Sequence, residues 1–169
     1  MAALGAVEPP LLSQVSATLR AVTGCEVGRL PELARPAYAF NKDRAQFHVA
    51  AILRRLAALR GKEAAVPVLG VTDADLFVPD APFVFGESDR SELAAVVSVA
   101  RLRGEPPVEA ELLLRRISAE AMHQLGHLIG LLHCQDARCA MFQAQRVADV
   151  DRKRPGLCGT CRTAAGLTE

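Results

Sequence analysis

The side chains able to bind a metal are crowded into one part of this chain. Three of its four histidines are His123, His127 and His133, and four of its five cysteines are Cys134, Cys139, Cys158 and Cys161. Only His48 and Cys25 lie elsewhere. His123 and His127 are spaced so that a helix projects them from one face, one turn apart, as two nitrogen ligands for a single ion. Gly130 can take a left-handed conformation and end that helix. His133 then arrives from the turned segment as a third ligand. Three neutral imidazoles hold zinc and leave a fourth position for water, the arrangement of a catalytic rather than a structural site. Zinc lowers the pKa of that water towards neutrality and polarises a carbonyl. The competing reading, ordinary helix histidines, has to explain both the spacing and the glycine at the turn.

The cysteines form two close pairs, Cys134-x4-Cys139 and Cys158-x2-Cys161. Four thiolates in two pairs make a closed tetrahedral zinc site, whose binding energy would be part of folding a tail with little core of its own. Two local disulfides, or free thiols, are the alternatives. Cys134 directly follows His133, so two metals would lie close together. The expected cofactor is Zn2+, two ions per chain, one on three histidines and one on four cysteines.

A long helix must carry the first two histidines. From Val108 to about Ile129 the pattern is helical, with Leu112, Leu113, Ile117, Met122, Leu125 and Leu128 inward and Glu109, Glu111, Arg115, Arg116 and Glu120 outward. His123 and His127 fall at its C-terminal end, a rigid platform. Upstream, Leu11, Leu12, Val15, Leu19 and Val22 predict a helix ending at Gly24. Residues 25–33 alternate as a short strand does, with Cys25 a small buried hydrophobe at its start. From about Asp43 a second helix is predicted, with Phe47, Ala50, Leu53, Leu56 and Leu59 inward and Gly61 as its cap. Residues 65–71, 76–78 and 93–102 read as strands. So does the segment Phe83, Val84, Phe85, between Pro82 and Gly86, in the manner of an edge strand. After Leu132 little regular structure is expected beyond a turn of helix near residues 143–147. The order implies an α+β domain with a sheet of about four or five strands, a single domain spanning residues 1–169.

Composition narrows the function classes. Half the residues are apolar, yet there is no Trp and one Tyr, and the net charge is +1. No basic cluster is interleaved with aromatics, so no nucleic-acid partner is expected. No apolar run approaches the roughly 18 residues of a membrane span. The first nineteen residues hold no Lys or Arg, and Glu8-Pro9-Pro10 would interrupt a secretory signal. A cytoplasmic monomer is the expectation, and in that compartment paired cysteines read as metal ligands before disulfides.

The histidine spacing resembles that of the metzincin zinc peptidases. Together with Cys134-x4-Cys139-x-Met141 and Cys158-x2-Cys161 it resembles the archaemetzincin family. Segments resembling that family run in the same order through nearly the whole chain: Arg44-Ala45-Gln46-Phe47, Asp75-Leu76-Phe77-Val78-Pro79, Phe83-Val84-Phe85-Gly86-Glu87, Ser98-Val99-Ala100-Arg101-Leu102 and Asp151-Arg152-Lys153. The resemblance implies a metzincin-like zincin fold and zinc-dependent hydrolysis of a peptide or protein substrate. It implies a catalytic zinc on His123, His127 and His133 and a structural zinc on Cys134, Cys139, Cys158 and Cys161. Met141 becomes the methionine of a tight turn beneath the histidines, although spacing alone also allows plain core filling. Phe83, Val84 and Phe85 become the cleft's upper edge, where an extended substrate adds as a strand.

One departure governs the expected activity. The residue after the first histidine, a glutamate general base in the family, is Gln124 here. Ala119 and Phe47 also depart, from a frequent Lys and a frequent Tyr. A glutamine amide can orient water through its carbonyl oxygen but cannot take and pass on the proton. Loss of a general base costs about 10²- to 10⁴-fold. The expectation is therefore a strongly impaired metallopeptidase, or a catalytically inactive zinc-bound module that binds peptides. Glu120, one turn before Gln124, is the one nearby acid that could substitute.

Overall fold

Two apolar strands set the layers of the molecule. The computed structural model describes residues 1–60 and 66–167. Val68–Thr72 and Ala94–Ser98 are buried along their whole length, as strands covered on both faces must be. Side chains alternate across a strand. Leu69, Val71, Ala95 and Val97 therefore join one apolar cluster, while Val68, Ala94 and Val96 join another. Helices Pro9–Thr23 and Ala110–Leu128 pack into the first cluster and helix Val49–Leu59 into the second.

In chain order the elements are β1 (Ala2–Leu4), α1 (Pro9–Thr23), β2 (Phe40–Asn41), β3 (Gln46–His48), α2 (Val49–Leu59), β4 (Val68–Thr72), β5 (Leu76–Phe77), β6 (Gly86–Asp89), β7 (Ala94–Ser98), α3 (Ala110–Leu128), α4 (Val147–Val150) and α5 (Gly159–Ala164). The main sheet has four strands in the order β1-β4-β7-β6. β1, β4 and β7 run parallel, and β6 is antiparallel to β7 at the edge. β2, β3 and β5 form a small second sheet. This is the mixed α+β architecture expected, a mixed sheet with one long helix carrying the histidines. Among the described residues no helix is long and apolar enough to cross a membrane.

Several local expectations need correction. Residues 25–33 are not a strand. Leu30 and Leu33 donate to the Met1 and Ala3 carbonyls, but only Leu33 forms a bridge, to Leu4. Pro31 has no N–H with which to continue a ladder. Cys25 is exposed, not buried. The second helix begins at Val49. Before it, Ala45 adopts a positive φ of 53° and reverses the chain, so that Phe40 and Asn41 pair with Phe47 and Gln46. Gly61, its expected cap, lies outside the described residues.

Phe83, Val84 and Phe85 are not the edge strand either, because this segment is shared between the two sheets. The Val84 N–H donates to the Leu76 carbonyl in the small sheet, while the Phe85 carbonyl accepts the Ser98 N–H beside the large one. Regular edge pairing starts one residue later, at Gly86. Arg116 and Glu120, expected outside, are buried. β1 and α5 had no sequence expectation, and the helix turn expected near residues 143–147 lies later, at α4, sharing only Val147.

Candidate metal centre

α3 places His123 and His127 on one face of its last two turns and stops at Leu128. Gly130 then takes φ +93°, with its N–H on the His127 carbonyl (3.0 Å), and the Leu131 N–H donates to the Gly126 carbonyl (2.9 Å). The reversal brings His133 back. One ring nitrogen from each of the three histidines lies within 4.8 Å of the others, and Nε2 of His123 is 3.1 Å from Nε2 of His127.

The rings are held from behind. Nδ1 of His123 is 2.8 Å from the Ala140 carbonyl, and Nδ1 of His127 is 2.9 Å from the Leu131 carbonyl. A carbonyl only accepts, so each Nδ1 carries the proton and each Nε2 presents a lone pair. Burial, reinforced by the nearby Lys153 ammonium, pushes His123 down to about 3, and burial lowers His133 as well. Three converging ring nitrogens, two of them on rings anchored by carbonyls, are a donor set that fits zinc.

Met141 packs against α3 at Gly126, between His123 and His127 in the chain. It is fully buried in a tight turn closed by the Phe142 N–H on the Cys139 carbonyl (3.0 Å). Its thioether packs so closely on Gly126, between the two helix histidines, that there is no room there for a Cβ. The same turn passes directly into the cysteine cluster. One Sγ from each of Cys134, Cys139, Cys158 and Cys161 lies within 4.8 Å of the others, and none is in a disulfide. Backbone N–H groups point at sulfur: Cys158 to Cys139 Sγ (3.3 Å) and Asp136 to Cys134 Sγ (3.4 Å). The Cys161 N–H helps hold the Cys158 thiol below its ordinary range, whereas burial pushes Cys139 and Cys161 up. Buried thiols that resist ionisation become thiolates when a bound cation supplies the compensating charge.

Gln124 sits between the helix histidines in sequence and is 5 % exposed. It packs against Gly86 at the start of β6, where an added Cβ would lie 3.1 Å from Gln124 Cγ and 2.6 Å from the Val96 carbonyl oxygen. Gln124, the helix residue expected at the general-base position, thus lies against the edge strand. Glu120 is not a free substitute, because its carboxylate is 2.7 Å from Lys153 Nζ.

A family model described as Peptidase family M54 matches residues 22–165. The archaemetzincin of Methanocaldococcus jannaschii is 38% identical over 141 residues, which is 81% of this chain and 74% of that one. The chain belongs to peptidase family M54, the archaemetzincins. Two solved structures have the same fold. The zinc-dependent peptidase from Methanocorpusculum labreanum matches with a TM-score of 0.87 at 30% identity, over 97% of this chain and 98% of that one. The archaemetzincin from Methanopyrus kandleri matches with a TM-score of 0.83 at 33% identity, over 98% and 92%.

This archaemetzincin also uses residues that spacing alone did not single out for the site. Lys153 is 1 % exposed; it pairs with Glu120 and reaches within 3.4 Å of His123 Nδ1. Arg116 grips the Asp151 carboxylate with two nitrogens (2.7 and 2.9 Å) and the Leu102 carbonyl with a third. Together they fasten the segment after α4 to the histidine helix. At the rim, Arg44 and Gln46 donate to the Pro82 carbonyl, and Arg101 pairs with Asp75 in two hydrogen bonds while stacking on Phe83. These contacts fix the segment leading into β6. The signal available in the sequence was the order of family-like segments, which contains Arg44, Gln46, Asp75, Phe83 and Arg101 but not Pro82. A larger apolar groove of about 620 Å³, walled by Leu19, Leu69, Met122 and Leu125 among others, shares no ligand residue with either cluster.

Proposed function

We propose that this archaemetzincin is a zinc metallopeptidase-type protein whose hydrolysis of peptide bonds is strongly impaired by Gln124. His123, His127 and His133 would hold a catalytic-type zinc, and Cys134, Cys139, Cys158 and Cys161 a structural one. The observation that carries this reading is the convergence of three histidine ring nitrogens, with two of the rings anchored by backbone carbonyls. When bound, zinc supplies Lewis-acid polarisation and a water of lowered pKa. Met141 gives the histidines an apolar floor. β6 pairs only with β7 among the described residues, so its outer edge can receive an extended peptide as a further strand. Phe83, Val84 and Phe85 form the approach to that edge.

Gln124 can orient an attacking water through Oε1. Its amide has no basic site to accept the proton and return it to the leaving amine, so the acid–base part of catalysis is missing. That same observation favours a second reading, a catalytically inactive module that binds peptides at an intact zinc site. Both readings place one domain in the cytoplasm, as a monomer that binds peptide or protein without nucleic acid or membrane.

Metal analysis and peptide turnover test the proposal together. Two zinc ions per chain are expected, falling to one in His123→Ala and to one in Cys161→Ser. A single zinc that disappears in His123→Ala would remove the four-cysteine claim. Slow, chelator-sensitive cleavage supports the impaired peptidase; peptide binding without cleavage supports the silent module.

A further inference from the structure

The tail that carries His133 borders a second feature, a half-open pocket of about 440 Å³ whose wall includes His133, Gln135, Phe142, Gln143, Gln145 and Arg146. Because His133 belongs both to this wall and to the histidine cluster, a peptide whose carbonyl lay at a metal held by the histidines would bring an adjoining side chain to the cavity. The polar groups here are unequal. Asp149, also in the wall, has its carboxylate engaged by the Gln145 N–H (3.2 Å), the Arg146 N–H (3.3 Å) and Arg146 Nε (3.4 Å). Its side chain is only 15% exposed, against 78% for Arg146. Arg146 Nη1 and Nη2 make no hydrogen bond among the described residues. That leaves the outer edge of a guanidinium, a fork matched to a carboxylate, together with three glutamine amides that can donate.

We infer that this cavity is a specificity pocket for a peptide side chain bearing a carboxylate, with Arg146 as the specificity-determining residue. Asp149 positions Arg146 and is itself too engaged to attract a cationic side chain. The glutamines favour glutamate, which reaches them, over a bare apolar side chain. The inference rests on the peptide-binding reading above and adds a substrate class to it.

Because Gln124 slows or prevents cleavage, binding can be measured directly on the zinc-loaded protein. Fluorescein-labelled octapeptides carry Glu, Gln, Leu or Lys at each position in turn, and affinity is read by fluorescence anisotropy. At one position next to the metal-bound residue, Glu should bind about two- to fivefold more tightly than Leu, with Lys the weakest; an ion pair at a largely exposed edge supports no more than this. The preference should shrink in high salt. Arg146→Gln should abolish it, and Arg146→Glu should invert it in favour of Lys. Equal affinity for Glu and Leu at every position, or a preference unchanged by Arg146→Glu, overturns the pocket while leaving peptide binding intact. Absence of binding by every peptide, with no cleavage by Gln124→Glu, overturns the proposed function and the pocket with it.

Discussion

Lys153→Met tests how the tail holds the histidine helix. Lys153 Nζ and Glu120 Oε1 are 2.7 Å apart, with side chains 0% and 4% exposed. At an effective dielectric constant near 20, two unit charges at that distance attract by about 6 kcal/mol. Removing both ions from water costs several kcal/mol each, so the pair as a whole is close to neutral for stability. Deleting one partner is different. Glu120 would be left buried with no counter-ion, and burial already pushes its carboxyl above the usual range. Lys153→Met should therefore destabilise the zinc-loaded protein by about 3–5 kcal/mol, lowering Tm by about 6–20 °C for a chain of this size. Denaturant and thermal unfolding read the change. Glu120→Gln combined with Lys153→Met should be more stable than Lys153→Met alone, because it removes the stranded charge. The reasoning fails if Lys153→Met costs less than about 1 kcal/mol, or if the double variant loses the sum of the two single costs.

Gly126→Ala should displace Met141 and cost about 1–3 kcal/mol as overpacking; a chelator-dye competition should show weaker metal binding at the histidines, and unchanged affinity would show that Met141 does not support them. Gly86→Ala forces a Cβ against the Val96 carbonyl and Gln124, so hydrogen exchange should accelerate in β6 with a loss of about 1–3 kcal/mol, whereas undisturbed protection in β6 would count against the close approach. Cys161→Ser should release one zinc and speed exchange over residues 134–161, while β4 and β7 keep their protection. Equal loosening of the sheet would mean that the tail and the core are not separable.

Much of the fold was legible where pattern and packing agree. α1 ends at Gly24, in a left-handed conformation, as its spacing predicts, and the apolar runs around β4 and β7 became the buried centre of the sheet. Legibility failed where a residue serves two elements. Phe47 fits the apolar stripe of α2 but belongs to β3, because the turn at Ala45 is invisible to periodicity. Phe83, Val84 and Phe85 look like a strand, yet their backbone is divided between two sheets. β1 is only three residues long, too short for any alternation to be read. At the centre itself, the histidine and cysteine clusters were legible from spacing, since four residues apart on a helix and paired thiols leave few geometries. The buried charges were not. Arg116, Glu120 and Lys153 look like solvated residues in sequence, and only the tertiary contact between α3 and the tail pairs them.

The central claim is that a zinc peptidase scaffold has lost its general base at position 124, and one comparison tests it. Peptide hydrolysis is measured for this protein and for Gln124→Glu at matched zinc content over a broad peptide library. A carboxylate restored at that position should raise kcat/KM by about 10²- to 10⁴-fold. If the glutamate form, with its histidine zinc in place, hydrolyses no peptide faster than the glutamine form, the metallopeptidase account is contradicted.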